Sequence, residues 1–140
     1  MTSPNLDNLA QTGQLKLESA DQREFNGLVH SARVRLADAE KPALSIESQF
    51  DLAYNAAHAF ALAALRWNGY RCDNRYLVFQ CLPHTLGVGP EVWRVLALCH
   101  QRRNQAEYEG LLDISERLVA DLITAARVLQ EKVAALADLA

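Results

Sequence analysis

Residues 50–67 read FDLAYNAAHAFALAALRW, a stretch without glycine or proline that is apolar on nearly every side of a helix. Seven of its residues are alanine: Ala53, Ala56, Ala57, Ala59, Ala61, Ala63 and Ala64. A helix that is apolar all round is enclosed by other helices, and small side chains let those neighbours approach closely. This stretch therefore predicts an all-α bundle with one helix at its centre. Ser45 is placed to cap that helix, and Asn68-Gly69 gives it a C-terminal stop.

Working outward, Asp21 is expected to cap a helix running to about Lys41. Phe25, Leu28, Val29, Ala32, Leu36 and Ala39 form its apolar side, and Pro42 ends it. Residues 5–18 are weakly amphipathic (Leu6, Leu9, Leu15, Leu17, interrupted by Gly13) and predict a loosely packed helix within a peripheral segment 1–20. Beyond the centre, Asp73 is expected to cap a short helix from Tyr76 to Leu82. The turn Gly87-Val88-Gly89-Pro90 then sets Pro90 at the first position of a helix reaching Glu109, with a break at Gly110. A last helix over 115–139 repeats Leu118, Leu122, Ala125, Leu129, Val133 and Leu136 at three- and four-residue steps. No β-pattern of any length is present. The expected fold is an up-and-down four-helix bundle with short extra helices, one domain over residues 1–140.

Composition agrees with that class. Half of the 140 residues are apolar, and 6 Gly and 4 Pro are too few for a turn-rich β-fold. No run of about 18 apolar residues is present to span a membrane. No basic region followed by an apolar run marks a signal peptide. Cys72, Cys81 and Cys99 are odd in number and unpatterned, which suits reduced thiols and a cytoplasmic protein. The net charge of −3 argues against nucleic acid binding over the whole surface. The distribution is uneven, however. Residues 66–103 carry Arg66, Arg71, Arg75, Arg94, Arg102 and Arg103 against Asp73 and Glu91 alone, a local excess of +4. All six are arginine, whose planar fork suits phosphate and carboxylate.

On the helix from Pro90 to Glu109, Val92, Leu96, Cys99 and Arg103 fall in one line. Arg103 thus continues a stripe facing the core or a partner, with His100 at i−3 and Glu107 at i+4. Charged groups are seldom fully buried unless paired or functional, which makes this the most informative place in the chain. The stripe and the alanine-rich centre together suggest more apolar surface than one bundle hides, hence a symmetric dimer in which two Arg103 helices meet. Metal chemistry is not expected. Cys81-x-x-His84 has a ligand spacing but nothing to complete it, and structural zinc wants four ligands. No glycine-rich phosphate loop or nucleophile motif is present, so no cofactor is expected. His58, among alanines, reads as a hydrogen-bonded core histidine. Most aromatics read as core; Tyr70 and Tyr76, near helix ends, are the more exposed candidates for stacking a base.

The alanine-rich helix ending in Ala64-Leu65-Arg66-Trp67-Asn68-Gly69-Tyr70, a short connecting helix, and then His100-Gln101-Arg102-Arg103-Asn104-Gln105-Ala106-Glu107-Tyr108 resemble a HEPN domain (higher eukaryotes and prokaryotes nucleotide-binding) over about residues 20–138. The resemblance implies a dimeric helical bundle whose hallmark is Arg, a polar residue that is often Asn, a few residues more, then His. In active relatives this motif makes a metal-independent ribonuclease site across the dimer interface. Others partner a minimal nucleotidyltransferase in toxin–antitoxin pairs, or bind nucleotides and RNA without cutting. Arg103 matches the hallmark arginine and Asn104 the polar residue, whereas Tyr108 stands where the histidine belongs. Tyrosine, titrating near 10, is a poor base at neutral pH where histidine, near 6.5, is a good one.

These readings give an expected function: binding of RNA or a nucleotide, in a component of a toxin–antitoxin or defence system with a nucleotidyltransferase or other antitoxin as partner. Arg103 would take the phosphate, Asn104 would orient it and Tyr108 would close the site, with Arg66, Arg71, Arg75 and Arg102 as further binding residues. One alternative is a ribonuclease toxin in which Arg103 works with His100 or Glu107. Another is a structural module in which Arg103 bridges to Glu107 of a second subunit.

Overall fold

Residues 4–136 are described by a computed structural model. In chain order its elements are α1 (Pro4–Gln11), β1 (Lys16–Leu17), α2 (Gln22–Ala39), α3 (Ile46–Trp67), β2 (Tyr70–Arg71), α4 (Arg75–Gln80), α5 (Leu82–Thr85), α6 (Pro90–Glu109) and α7 (Glu116–Ala134). The fold is an all-α bundle in which α2, α3, α6 and α7 are the long helices. Helix α3 is its centre, as its composition requires. It packs against α2, α7, α4, α5, α6 and β2, and Phe50, Tyr54, Phe60, Leu65 and the alanines Ala53, Ala56, Ala57, Ala61, Ala63 and Ala64 are buried. With no Cβ branch to hold them apart, α2 and α7 close on its alanine faces. From α7 come Leu122, Ala126 and Leu129, all fully buried; burying each leucine contributes roughly 1.5–3 kcal/mol.

The capping chemistry follows the sequence closely. Asp21 accepts from Glu24 N, Ser45 from Ser48 N and Ser115 from Leu118 N, each satisfying a donor that the first turn leaves open. Pro90 opens α6, and Gly110 closes it in the left-handed conformation at φ 73°, which glycine adopts without steric cost. Helix α4 departs from expectation: Asn74, not Asp73, is its cap, accepting from Leu77 N at 3.0 Å. The last helix ends at Ala134, short of the expected 139, and residues 137–139 of that expectation lie outside the described residues.

Two further expectations are corrected at the N-terminus. The helix foreseen over residues 5–18 ends at Gln11, and residues 16–17 instead pair antiparallel with 70–71, Lys16 opposite Arg71 and Leu17 opposite Tyr70. This is a short ladder where no β-pattern was expected. Two-residue strands carry no periodicity to read, which is why the sequence did not display them. Nor is the segment loosely packed. Leu6 and Leu15 are buried in the main core, and the Tyr70 hydroxyl donates to Asp7.

Arg66 completes that junction. It is the one charged residue buried among the described residues, at 2% exposure. Its guanidinium donates to Glu24 Oε1 at 2.5 Å, to the Glu18 carbonyl at 2.8 Å and to the Ser19 carbonyl at 2.7 Å. It also reaches the Tyr70 carbonyl at 3.3 Å. Arg71 bridges the same two acids, donating to Glu18 Oε2 at 2.7 Å and to Glu24. The Arg71 contact, above all, holds both carboxyls below the usual range.

Candidate anion site between α3, α4 and α6

The stripe Val92, Leu96, Cys99 is buried inside the protomer, largely against α7. Of the core and a partner, this part of the stripe faces the core. Arg103, next in that line, emerges where α6 passes α3. Its guanidinium carbon lies 5.2 Å from the centre of the Tyr54 ring. Arg75, in the first turn of α4, approaches the same ring at 5.6 Å and donates to Asn55 Oδ1 at 3.1 Å. Two like charges thus converge on one fully buried phenol. A cation over an aromatic face gains about 0.5–2 kcal/mol, which offsets part of their mutual repulsion.

One carboxylate stands close enough to pair with either. Glu107 Oε1 is 3.3 Å from Arg103 Nη1, and its side chain is 58% exposed. Arg75 has no carboxylate within ion-pair distance among the described residues. The Arg103–Glu107 contact lies within about one helix turn of the same chain. Exposed pairs at i,i+4 contribute only about 0.3–0.5 kcal/mol, and a better anion can displace Glu107.

His100 ties the cluster together. Its Nδ1 is 2.9 Å from the Tyr54 hydroxyl and its Nε2 is 3.0 Å from the Asn104 amide. Two arrangements satisfy both bonds. Either Tyr54 donates to Nδ1 and Nε2–H points to the amide oxygen, or the amide donates to Nε2 and Nδ1–H points to the phenol. In both, each ring nitrogen is engaged and the ring is neutral. Burial, then Arg103 and Arg75, push the His100 pKa below 6.5, with Glu107 opposing. Burial likewise raises the Tyr54 pKa against the pull of Arg103 and Arg75, so the phenol keeps its proton.

His58, one turn along α3 from Tyr54, belongs to the same field. Its ring packs edge-on against Phe79 at 5.9 Å. The expected hydrogen-bonded core histidine is not found: His58 is half-buried, and among the described residues its ring makes no hydrogen bond. Burial, followed by Arg75, Arg103 and His100, lowers its pKa from 6.5 to about 4. Between those pH values the unfolded chain takes up a proton that the folded chain refuses, so stability falls as pH drops from about 6.5 to 4. The full effect is at most about 3 kcal/mol, and His100 adds in the same direction. Urea midpoints measured across this range should decline in the wild type and decline less in His58→Leu. Equal slopes would remove His58 from the account.

Of the binding and catalytic residues expected from the sequence, Arg75, His100, Arg103, Asn104 and Glu107 are brought together. Arg66 and Arg71 are not; both are consumed by Glu18 and Glu24 at the N-terminal junction, so they are structural and not available to a ligand. Arg102 turns away to Asp113 at 3.4 Å. Tyr108 does not close the site: it is 91% exposed, beyond the cluster. Tyr70 is fully buried, whereas Tyr76 is 37% exposed and tilts over His100 with centroids 5.4 Å apart. Tyr54 and Asn55 are site residues that the sequence reading missed. Their signal was present, since Tyr54, Asn55 and His58 interrupt the apolar cylinder of α3 on one side.

Among the described residues no three His, Cys, Asp or Glu side chains gather as metal ligands. Cys81 and Cys99 are buried, and burial pushes their thiols up to about 11 and about 12, which keeps them protonated and unreactive. Among the described residues no helix is long and apolar enough to cross a membrane. No family model, no curated protein and no solved structure matches this chain.

Proposed function

We propose that this protein is a HEPN-like binder of RNA or a nucleotide that holds a phosphate between Arg75 and Arg103. The observation that carries the reading is the convergence of two guanidiniums on the buried Tyr54 ring, with Glu107, itself exposed, as the one carboxylate in ion-pair contact with either among the described residues. Such a pair is complementary to a phosphate, which each arginine can meet with charge-assisted hydrogen bonds. Asn104 supports the site by fixing His100. The Tyr54 proton faces the same cluster. The resemblance to HEPN domains supplies the rest of the reading: a cytoplasmic homodimer, working with a nucleotidyltransferase or other antitoxin partner.

A metal-independent ribonuclease is the second reading, favoured by a neutral His100 beside Arg103. Cleavage through the ribose 2′-hydroxyl wants a free base nitrogen. Both nitrogens of His100 are engaged, and Glu107 is paired with Arg103. Weak or absent cleavage is therefore expected.

The test is titration of a short single-stranded RNA at several salt concentrations. Affinity should fall with salt, with a log–log slope of roughly −0.7 for each phosphate neutralised. Sedimentation of the same sample checks the dimer. No binding at low salt, or binding indifferent to salt, would remove the phosphate reading. Rapid cleavage that survives a chelator and is lost in His100→Ala would favour the ribonuclease.

A further inference from the structure

Beside the arginine cluster, α4 and α6 bound a groove of about 760 Å³. Its walls include Tyr76, Leu98 and Tyr108, and its polar lining includes Gln101, Asn104 and Gln105. His100 belongs to both places: it lines the groove and bonds to the Tyr54 hydroxyl inside the cluster. We infer that the groove is a nucleobase subsite, taking unpaired bases of a single-stranded RNA whose phosphate lies at Arg75 and Arg103. This rests on the phosphate reading above and extends it from backbone to base.

Four observations support the assignment. Tyr76 is 37% exposed and Tyr108 91% exposed, an unusual pair of accessible aromatic rings on a wall that also exposes Leu98 at 38%. Ring faces of this kind stack bases of any identity. Tyr76 is not loose: it leans on His100 with an interplanar angle of 32°, and is thus already braced to receive a second ring. The amides of Gln101, Asn104 and Gln105 each carry a donor and an acceptor, the combination that reads base edges in bidentate fashion. Asn104 commits its nitrogen or its oxygen to His100 and keeps the other. Finally, the groove falls in the size range of small-ligand clefts. It carries one carboxylate in its lining, Glu109, and meets the arginine cluster through His100, which belongs to both.

Duplex RNA buries its base faces and cannot enter. The subsite therefore makes the protein selective for single strands, where a phosphate clamp alone would not discriminate.

The experiment compares three probes of about ten nucleotides: a single-stranded RNA, the same sequence as a duplex, and an abasic ribose-phosphate chain. Each is titrated against wild type, Tyr76→Ala, Gln101→Ala/Gln105→Ala and Arg103→Ala. The base subsite predicts about tenfold weaker binding of the abasic chain than of the single strand, and about tenfold weaker binding of the single strand by Tyr76→Ala. Neither Tyr76→Ala nor the glutamine pair should change affinity for the abasic chain. Circular dichroism melting confirms that each variant is folded. Equal affinity for abasic and single-stranded probes, with Arg103→Ala weakening both, overturns the base subsite and leaves the phosphate clamp standing. Failure of every probe to bind overturns both. If Tyr76→Ala instead shifts the free protein from dimer to monomer in sedimentation, with RNA affinity unchanged, the groove belongs to a second copy of the chain and the inference is wrong.

Discussion

Arg66→Ala should lower the unfolding free energy by about 3–5 kcal/mol, the range for removing one partner of a buried ion pair. The side chain is buried and serves two acids and three backbone carbonyls at once. Glu18 and Glu24 are each about a third exposed and can rehydrate once released. The carbonyls of Glu18, Ser19 and Tyr70 have less recourse, and a long side chain leaves a void behind. Urea denaturation is the measurement, with an unchanged m-value showing that the denatured state is not altered. Arg66→Lys keeps the charge but loses the fork, and should recover only part of the loss. A deficit below about 1 kcal/mol in Arg66→Ala would mean that solvent replaces the arginine's partners, contrary to the burial described. Affinity for RNA, measured below the melting transition, should not change.

The second large effect is on binding. Arg75→Ala and Arg103→Ala should each weaken single-stranded RNA by about 1.5–3 kcal/mol, the range for hydrogen bonds to a charged partner. That is roughly ten- to a hundredfold apiece. If both hold one phosphate, the double variant should lose about 3–5 kcal/mol, somewhat less than the two losses combined, because partners of one group couple. Melting temperature should move little in either single variant, since removing one guanidinium also relieves repulsion between the two. Isothermal titration together with a melting curve separates the outcomes. A pair of variants that bind normally but melt many degrees lower would assign the two arginines to the fold.

The contrast between Arg66 and Arg103 shows how far the sequence could be read. Both lie on helices rich in apolar residues, and both were expected to be binding residues. The bundle itself was legible because alanine content, caps and stops are local properties. So were Ser45, Asp21, Pro90 and Gly110, whose roles depend on neighbours within four residues. The fate of Arg66 was not legible, because its acidic partner Glu24 lies 42 residues earlier in the chain and no spacing announces it. The same limit hid the short ladder between residues 16–17 and 70–71. At the site, Arg103, His100 and Asn104 were found because one helix carries them. Tyr54 was missed because its role arises only when α3 meets α4 and α6. Tyr108, expected to close the site, is 91% exposed.

The assembly of the site from three helices has a consequence for its dynamics. Tyr54 comes from α3, Arg75 from α4, and His100 and Arg103 from α6, which leans mainly on α7. If α6 separates from α3, the phenol–imidazole bond opens and the two guanidiniums part. On the proposed function, a phosphate would be held only in the ensemble members where α6 is docked, and would draw population towards them by mass action. Such a ligand would act as a removable rivet between α3, α4 and α6. Amide exchange along α6 is a gauge of site occupancy, slowing when the anion is present and quickening when it leaves.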